Sequence, residues 1–438
     1  MNLRTAAVLA VTALAALAAW PRFVATQTVQ ASVATPAPVV ADYLQRDHLI
    51  AFYEDAVQRR PDQIVTRLLA AQYLQRFRES GDPGDLLRGE RAARRSLALQ
   101  PRFNAGAELT LASALASLHR FREALAHAQN ARQIEPGSVG AAAQVAGALV
   151  ELGRYDDAWR VLRSAGRATA DETGLAAATA RADEVTGKLA AARRSIELAM
   201  SATDSVIDSP AEARAWFHFR AGELAWSAGD GAAAERRFHE ALGIFPRYQR
   251  AYNGLARLYW GERRWSEARD SAARGAALVP LPETLGYEAD AQRALGEAAA
   301  ARATEDAIAA IARLGRAGGI NDRALAIYFA DHRLRPGDAV AIARRDVAAR
   351  DDVFAADALG WALLSAGRCT GARLAARKAV RAGTQDARLQ YHAGVIAMEC
   401  GDRAEAALRL RRALALNPHF HPFDAADARV RLAGLPGA

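Results

Sequence analysis

The chain has 438 residues, 51% of them hydrophobic and 24% charged, with a formal net charge of +8 and a pI near 9.8. That balance excludes a disordered chain and provides for a large core. Only two lysines are present, Lys188 and Lys378, and the arginines alternate with acids, as in Arg154-Tyr155-Asp156-Asp157 and Arg403-Ala404-Glu405, so the basic balance predicts solvated helix faces and no nucleic-acid partner.

At the amino end, Arg4 precedes an apolar run from Ala6 to Trp20 interrupted only by Thr12, and Pro21 and Arg22 follow. A run of about fifteen residues suits a secretory signal better than a membrane span, which needs about 20. Residues 1–30 are read as a signal peptide or signal anchor, with Ala16-Leu17-Ala18 and Ser32-Val33-Ala34 as processing triplets, and residues 31–41, carrying Pro36 and Pro38, as a flexible linker. The run predicts an exported protein, periplasmic, extracytoplasmic or secreted. Membrane contact is expected only through residues 6–20, where the segment stays uncleaved. No cysteine lies near the end of the run, so lipid attachment is not expected.

From Asp42 onward, apolar residues recur at three- and four-residue spacing without sustained alternation, so helix is expected throughout and strand nowhere. A small-residue beat of about 34 residues runs through Ala124, Ala158, Ala192, Ala234, Ala268, Ala301, Ala339, Ala372 and Ala406. Glycines keep the same phase five residues ahead of most of them, at Gly153, Gly187, Gly229, Gly296, Gly367 and Gly401, where a helix must end and turn. Prolines fall twelve residues after several, at Pro136, Pro246, Pro280 and Pro418, and close each unit because proline cannot continue a helix.

Individual segments repeat one packing pattern. Ala105 to Pro136 carries Leu111, Ala112, Leu115, Phe121, Ala124 and Ala131; Val139 to Ala165 carries Ala146, Leu149, Gly153, Tyr155, Ala158 and Ala165. Ala251 to Pro280 adds Tyr252, Leu255, Ala256, Tyr259, Trp265 and Ala268, and Leu389 to Pro418 adds Gly394, Gly401, Ala406 and Ala413. In these segments the chain resembles the tetratricopeptide repeat (TPR) family over most of residues 60 to 418. The resemblance implies an all-α fold, an α-α superhelical solenoid of about ten helix pairs.

Two departures mark irregular junctions. Ala192 and Ala234 are 42 residues apart, which predicts a lengthened connection near Met200 to Pro210; Ala301 and Ala339 are 38 apart, with Gly318-Gly319 between them. An amino-terminal lobe over 42–317 and a carboxy-terminal lobe over 318–418 are therefore expected, followed by a capping segment and tail over 419–438. Cys369 and Cys400, 31 residues apart, fall near the intra-unit turns of adjacent layers, so a disulfide is a candidate against the alternative of two free thiols.

Signatures of chemistry are sparse. There is no phosphate loop, nucleophile elbow or paired-cysteine metal spacing, and His239-Glu240 lacks the second histidine of a zinc helix, since Gly243 stands in its place. His419 and His421, flanking Phe420 near Asp424, read as a cap over the end of the stack in preference to a metal site. No enzyme, cofactor or metal is expected.

By the family's pattern, the first helix of each unit lines the concave side through its second, fifth, ninth and twelfth residues. Early units then present small or apolar groups such as Gly106, Leu109, Ser113 and Ala116. Later ones present Trp216, Phe219, Glu223 and Trp226, then Arg250, Asn253, Arg257 and Trp260, then Asp290 and Arg293, Phe354, Asp357 and Trp361, and Arg388 and Tyr391. Tryptophan, tyrosine and arginine dominate interface energies. The expected function is a non-catalytic scaffold that grips a protein or peptide through Trp216, Phe219, Trp226, Arg250, Asn253, Arg257, Trp260, Arg293, Trp361 and Tyr391. Arginine and asparagine there suit an acidic group. The alternatives are an accessory subunit of an envelope complex and an enzyme of unknown type.

Overall fold

The computed structural model describes residues 41–166, 173–206, 208–314 and 322–435. The expected signal or anchor and almost all of the linker lie outside the described residues, as does the Gly318-Gly319 junction where two lobes are expected to part. Asp42–Ala438 forms one compact unit.

Among the described residues, a short 3-10 turn at Asp42–Gln45 and α1 (Arg46–Arg59) lead into ten antiparallel helical hairpins. The first five are α2 (Gln63–Ser80) with α3 (Pro83–Leu99), α4 (Ala105–Ser117) with α5 (Phe121–Ile134), α6 (Val139–Glu151) with α7 (Tyr155–Ala165), α8 (Thr173–Val185) with α9 (Leu189–Ser205), and α10 (Ala211–Ser227) with α11 (Gly231–Ile244). The next five are α12 (Gln249–Gly261) with α13 (Trp265–Leu278), α14 (Pro282–Ala294) with α15 (Ala298–Leu314), α16 (Asp322–Asp331) with α17 (Pro336–Ala349), α18 (Val353–Ser365) with α19 (Cys369–Val380), and α20 (Ala387–Glu399) with α21 (Arg403–Leu416). A last helix, α22 (Asp424–Ala433), packs against α21. The architecture is all-α, a superhelical solenoid of helix pairs, and no described helix is long and apolar enough to cross a membrane.

Local sequence explains several boundaries. Asp62, Asn104, Ser138, Asp352 and Asp386 accept hydrogen bonds from the first free amides of the helices they precede. Each such cap is worth about 1 kcal/mol relative to alanine. All nine alanines of the 34-residue beat are buried, from 0% exposure at Ala158 to 2% at Ala124 and Ala301, because they sit where two helices approach most closely and a longer side chain would part them. The glycines that precede them hold positive φ, for example 67° at Gly153 and 91° at Gly401. Three other hairpin tips hold positive φ without glycine: His119 (58°), Arg263 (61°) and, six residues ahead of Ala339, Arg333 (51°). The lengthened spacing from Ala192 to Ala234 is absorbed by longer helices instead of a longer loop, α9 and α10 each running 17 residues.

Stacked hairpins twist, and here the twist returns the chain onto itself. The hairpin tips of earlier layers meet the inter-hairpin loops of layers one superhelical turn later. Arg350 reaches Glu151 at 3.2 Å and His119 at 3.0 Å; the Val353 amide donates to the Tyr155 hydroxyl at 2.9 Å; Thr384 Oγ1 donates to the Val185 carbonyl at 2.6 Å; Asn417 Nδ2 donates to the Trp226 carbonyl at 2.8 Å. Arg263 Nε extends the same seam to the Pro422 carbonyl at 2.9 Å. The seam binds residues 322–435 to the earlier hairpins, so the described residues on both sides of 315–321 share one body. Close approach governs composition here. A Cβ at Gly153 or Gly187 would stand well inside contact of the Asp351 or Gly383 carbonyl oxygen.

Cys369 and Cys400 are joined by a disulfide with their Cα atoms 5.5 Å apart, stitching the tips of the last two hairpins.

Candidate functional site

The even-numbered helices from α10 to α20 turn side chains toward a chamber that stays half open to solvent. It consists of two lobes of about 240 and 210 Å³ that share Trp260, Glu283, Tyr287, Arg323, Ile327 and Arg388. Trp226, Phe354 and Phe420 add aromatic wall to the second lobe, and Tyr328 to the first.

A ladder of alternating charge runs down successive helices to this chamber. Glu151 pairs with Arg181 at 3.6 Å, Arg181 with Glu184 at 2.8 Å, and Glu184 with Arg220 at 2.8 Å; Arg220 then pairs with Glu223, and Glu223 with Arg257 at 3.6 Å. Pairs within one helix, Arg181–Glu184 and Arg220–Glu223, alternate with pairs that span one layer, because the last turns of neighbouring inner helices stack at that distance. Burial pushes the Glu184 carboxyl up, but the Arg220 and Arg181 guanidiniums outweigh it and hold it down at about 2. Arg257 ends the ladder. Its side chain keeps 28% exposure within the chamber, and Glu223 is its one ion-pair partner among the described residues.

Other polar groups of the wall are committed to one another. Asp290 accepts from Trp260 Nε1 at 3.1 Å and meets Arg293 and His332 at 2.9 Å. Asp331 accepts from Trp361 Nε1 at 2.8 Å and pairs with Arg388. Arg323 bridges Asp346 and Asp352, and Asp357 holds His392 Nδ1 at 3.0 Å. Three atoms differ in kind. Among the described residues, Arg388 Nε and the Tyr328 hydroxyl find no hydrogen-bond partner, and Asp386, capping α20, accepts only from the Leu389 amide. Burial lifts the Asp386 carboxyl above its usual range, and that amide offsets only part of the rise.

The ten expected contact residues fall into different places. Trp226, Arg257 and Trp260 line the chamber, Trp260 wedged edge-on against His421 with ring centres 4.3 Å apart. Phe219 packs between layers against Phe238 and Tyr248, and Trp216 lies half-buried against Phe217. Asn253 is spent on Thr284 and Glu283, Arg250 is exposed, and Arg293 is half-exposed between Asp290 and Glu305. Trp361, stacked on His392 at 4.3 Å, and Tyr391, donating to Asp427 at 2.8 Å, flank a separate cleft of about 610 Å³ toward the carboxy-terminal hairpins. Phe420 and His421 are buried, Phe420 against Tyr391 and His421 against Trp260 across the seam. No described trio of His, Cys, Asp or Glu is placed to hold a metal ion.

Glu283, Tyr287, Arg323, Ile327, Asp331 and Asp386 are wall residues that the sequence pattern did not single out. Glu283 is the second residue of α14 and Arg323 the second of α16, so the inward-position pattern extended to those helices finds both. Asp386 precedes its helix as the cap and escapes the pattern altogether.

A family model described as tetratricopeptide repeat matches residues 115–182 and 225–283. No curated protein matches the sequence. Among solved structures, a monomeric mutant of IFIT1 with Gppp-AAAA is similar at 13% identity and a TM-score of 0.50, covering 77% of this chain and 76% of that one. A tetratricopeptide repeat protein from Parabacteroides merdae ATCC 43184 is similar at 14% identity and a TM-score of 0.41, over 65% of this chain and 99% of that one. PilW, a type IV pilus biogenesis factor, is similar at 18% identity and a TM-score of 0.33, over 57% and 92%.

Proposed function

Since this chain is a tetratricopeptide repeat protein, we propose that it is a non-catalytic scaffold that takes an extended segment of a partner protein into its axial chamber. The observation that carries this reading is the chamber itself, with aromatic walls and two lobes joined along α12, α14, α16 and α20. An ordered wall spares part of the ordering cost of binding.

Selection of a random peptide library on the full-length protein tests the reading. Ile327→Trp fills the shared wall and is expected to release the enriched peptides while the circular dichroism spectrum stays unchanged. Peptides retained by that variant would move the binding surface to the outer faces.

We also propose that the protein works outside the cytoplasm, in the cell envelope or beyond it. The apolar run from Ala6 to Trp20 and the Cys369–Cys400 bridge both favour that reading, because disulfides persist in oxidising compartments. Fractionation of the native source, with mass spectrometry of the mature amino terminus, is expected to find the chain exported; a cytoplasmic chain retaining Met1 would refute it.

A further inference from the structure

The sign of charge in the chamber opposes that of the whole molecule. The chain as a whole carries +8, yet five carboxylates in the chamber wall face only three arginines. Those arginines already have partners: Arg323 is drawn outward to Asp346 and Asp352, Arg388 to Asp331, and Arg257 to Glu223. On the carboxylate side, Asp290 and Asp331 are paired with Arg293 and Arg388, and Asp357 is hydrogen-bonded to His392.

Glu283 and Asp386 are what remains. Glu283 accepts from the Tyr287 hydroxyl at 2.7 Å and from Asn253 at 3.4 Å, and Asp386 from the Leu389 amide at 2.8 Å; neither forms an ion pair with any described residue. Both border the lobe lined by Trp260, Tyr287 and Phe354. Two carboxylates without a salt bridge, which Arg257 and, at Asp386, Arg388 offset only through space, stand beside aromatic faces and form a receptor for a cation, by charge pairing and by cation–π attraction together. The wall shows that chemistry in use, with Arg181 and Arg323 lying over the Phe354 ring at 5.1 and 5.7 Å.

We propose that the chamber recognises a basic residue, arginine or lysine, on an extended partner peptide, with Glu283 and Asp386 pairing its charge. This rests on the peptide-docking reading above and adds to it the chemistry of the residue that enters. The basic exterior sharpens selectivity, because it repels polycations that lack the shape to reach the chamber.

The test uses the full-length protein and three blocked, alanine-rich hexapeptides whose central residue is arginine, glutamate or alanine, titrated against tryptophan fluorescence. The arginine peptide is expected to bind saturably and at least tenfold more tightly than either other. Asp386→Asn keeps the helix cap, since asparagine caps as well as aspartate. That variant and Glu283→Gln are each expected to weaken the arginine peptide about tenfold, with helicity unchanged. Failure of the arginine peptide to bind, equal binding of the arginine and glutamate peptides, or unchanged affinity in the Glu283→Gln/Asp386→Asn double variant would overturn the inference. Preference for the glutamate peptide, lost in Arg257→Ala, would also overturn it while leaving peptide docking intact. Peptides that Ile327→Trp fails to release would instead count against docking itself.

Discussion

The hairpin tips of this solenoid are fastened in two different ways. Tips at Gly153 and Gly187 are clamped by the backbone of layers one turn later, close enough that no Cβ fits. Tips at Gly367 and Gly401 meet nothing within 4 Å of a built Cβ, and there the Cys369–Cys400 bridge ties neighbour to neighbour. A free end of a superhelix has no following turn to lean on, so a covalent link between adjacent layers does what contact does elsewhere. Glycine at the first set answers two demands, positive φ and close approach, and at the second only the former.

Substitution separates these demands. Gly187→Ala is expected to cost on the order of 4 kcal/mol, combining left-handed strain with a backbone clash that forces the seam apart, whereas Gly367→Ala should cost about 1 to 2 kcal/mol for strain alone. Urea unfolding monitored by circular dichroism measures both, and equal costs would erase the distinction between the two fastenings. Next in size is the covalent tie. Cys369→Ser with Cys400→Ser removes a closed loop with a separation of 31 residues, worth roughly 3 to 4 kcal/mol on the chain-entropy estimate, and the loss should appear first in hydrogen exchange of α19 to α21.

The smallest effect is electrostatic and concerns His119, which sits in the seam under Arg350. Burial, reinforced by the Arg350 charge, holds its imidazole down at about 3. The unfolded chain takes up a proton near pH 6.5 that the folded chain refuses, so the stabilisation is complete above that pH and drains away as pH falls toward 3. Between pH 6.5 and 5 the loss should be on the order of 1 kcal/mol. His119→Asn, which tolerates the left-handed backbone, is expected to flatten that limb of a thermal-midpoint profile; an unchanged slope would mean the imidazole is solvated.

Much of this body is legible in the sequence because its rules are local. The alanine beat marks helix crossings and the glycine phase marks tips, so layer number and helix direction follow from residues such as Ala158 and Gly153. The phase is hidden only where His119, Arg263 and Arg333 hold a positive φ without being glycine. Two of these put their side chains to use across the seam, His119 toward Arg350 and Arg263 toward Pro422, which repays the backbone strain. The inward-position pattern locates Arg257 and Trp260. Superhelical pitch is another matter, since it accumulates from small rotations over six layers and no window of sequence displays it. The seam, the chamber and the roles of Asp386 and Phe420 all depend on pitch.

The seam joins residues whose sequence separations run from 159 to 231, where an ordinary stacked array would join only neighbours. Low contact order is what lets such arrays fold fast and piecemeal, and closing loops this long forfeits part of that advantage. A nascent chain emerging amino end first must expose the tips at Gly153 and Gly187 until α18 to α20 have been made. Those tips are thus the surface on which a folding helper has the longest time to act during synthesis.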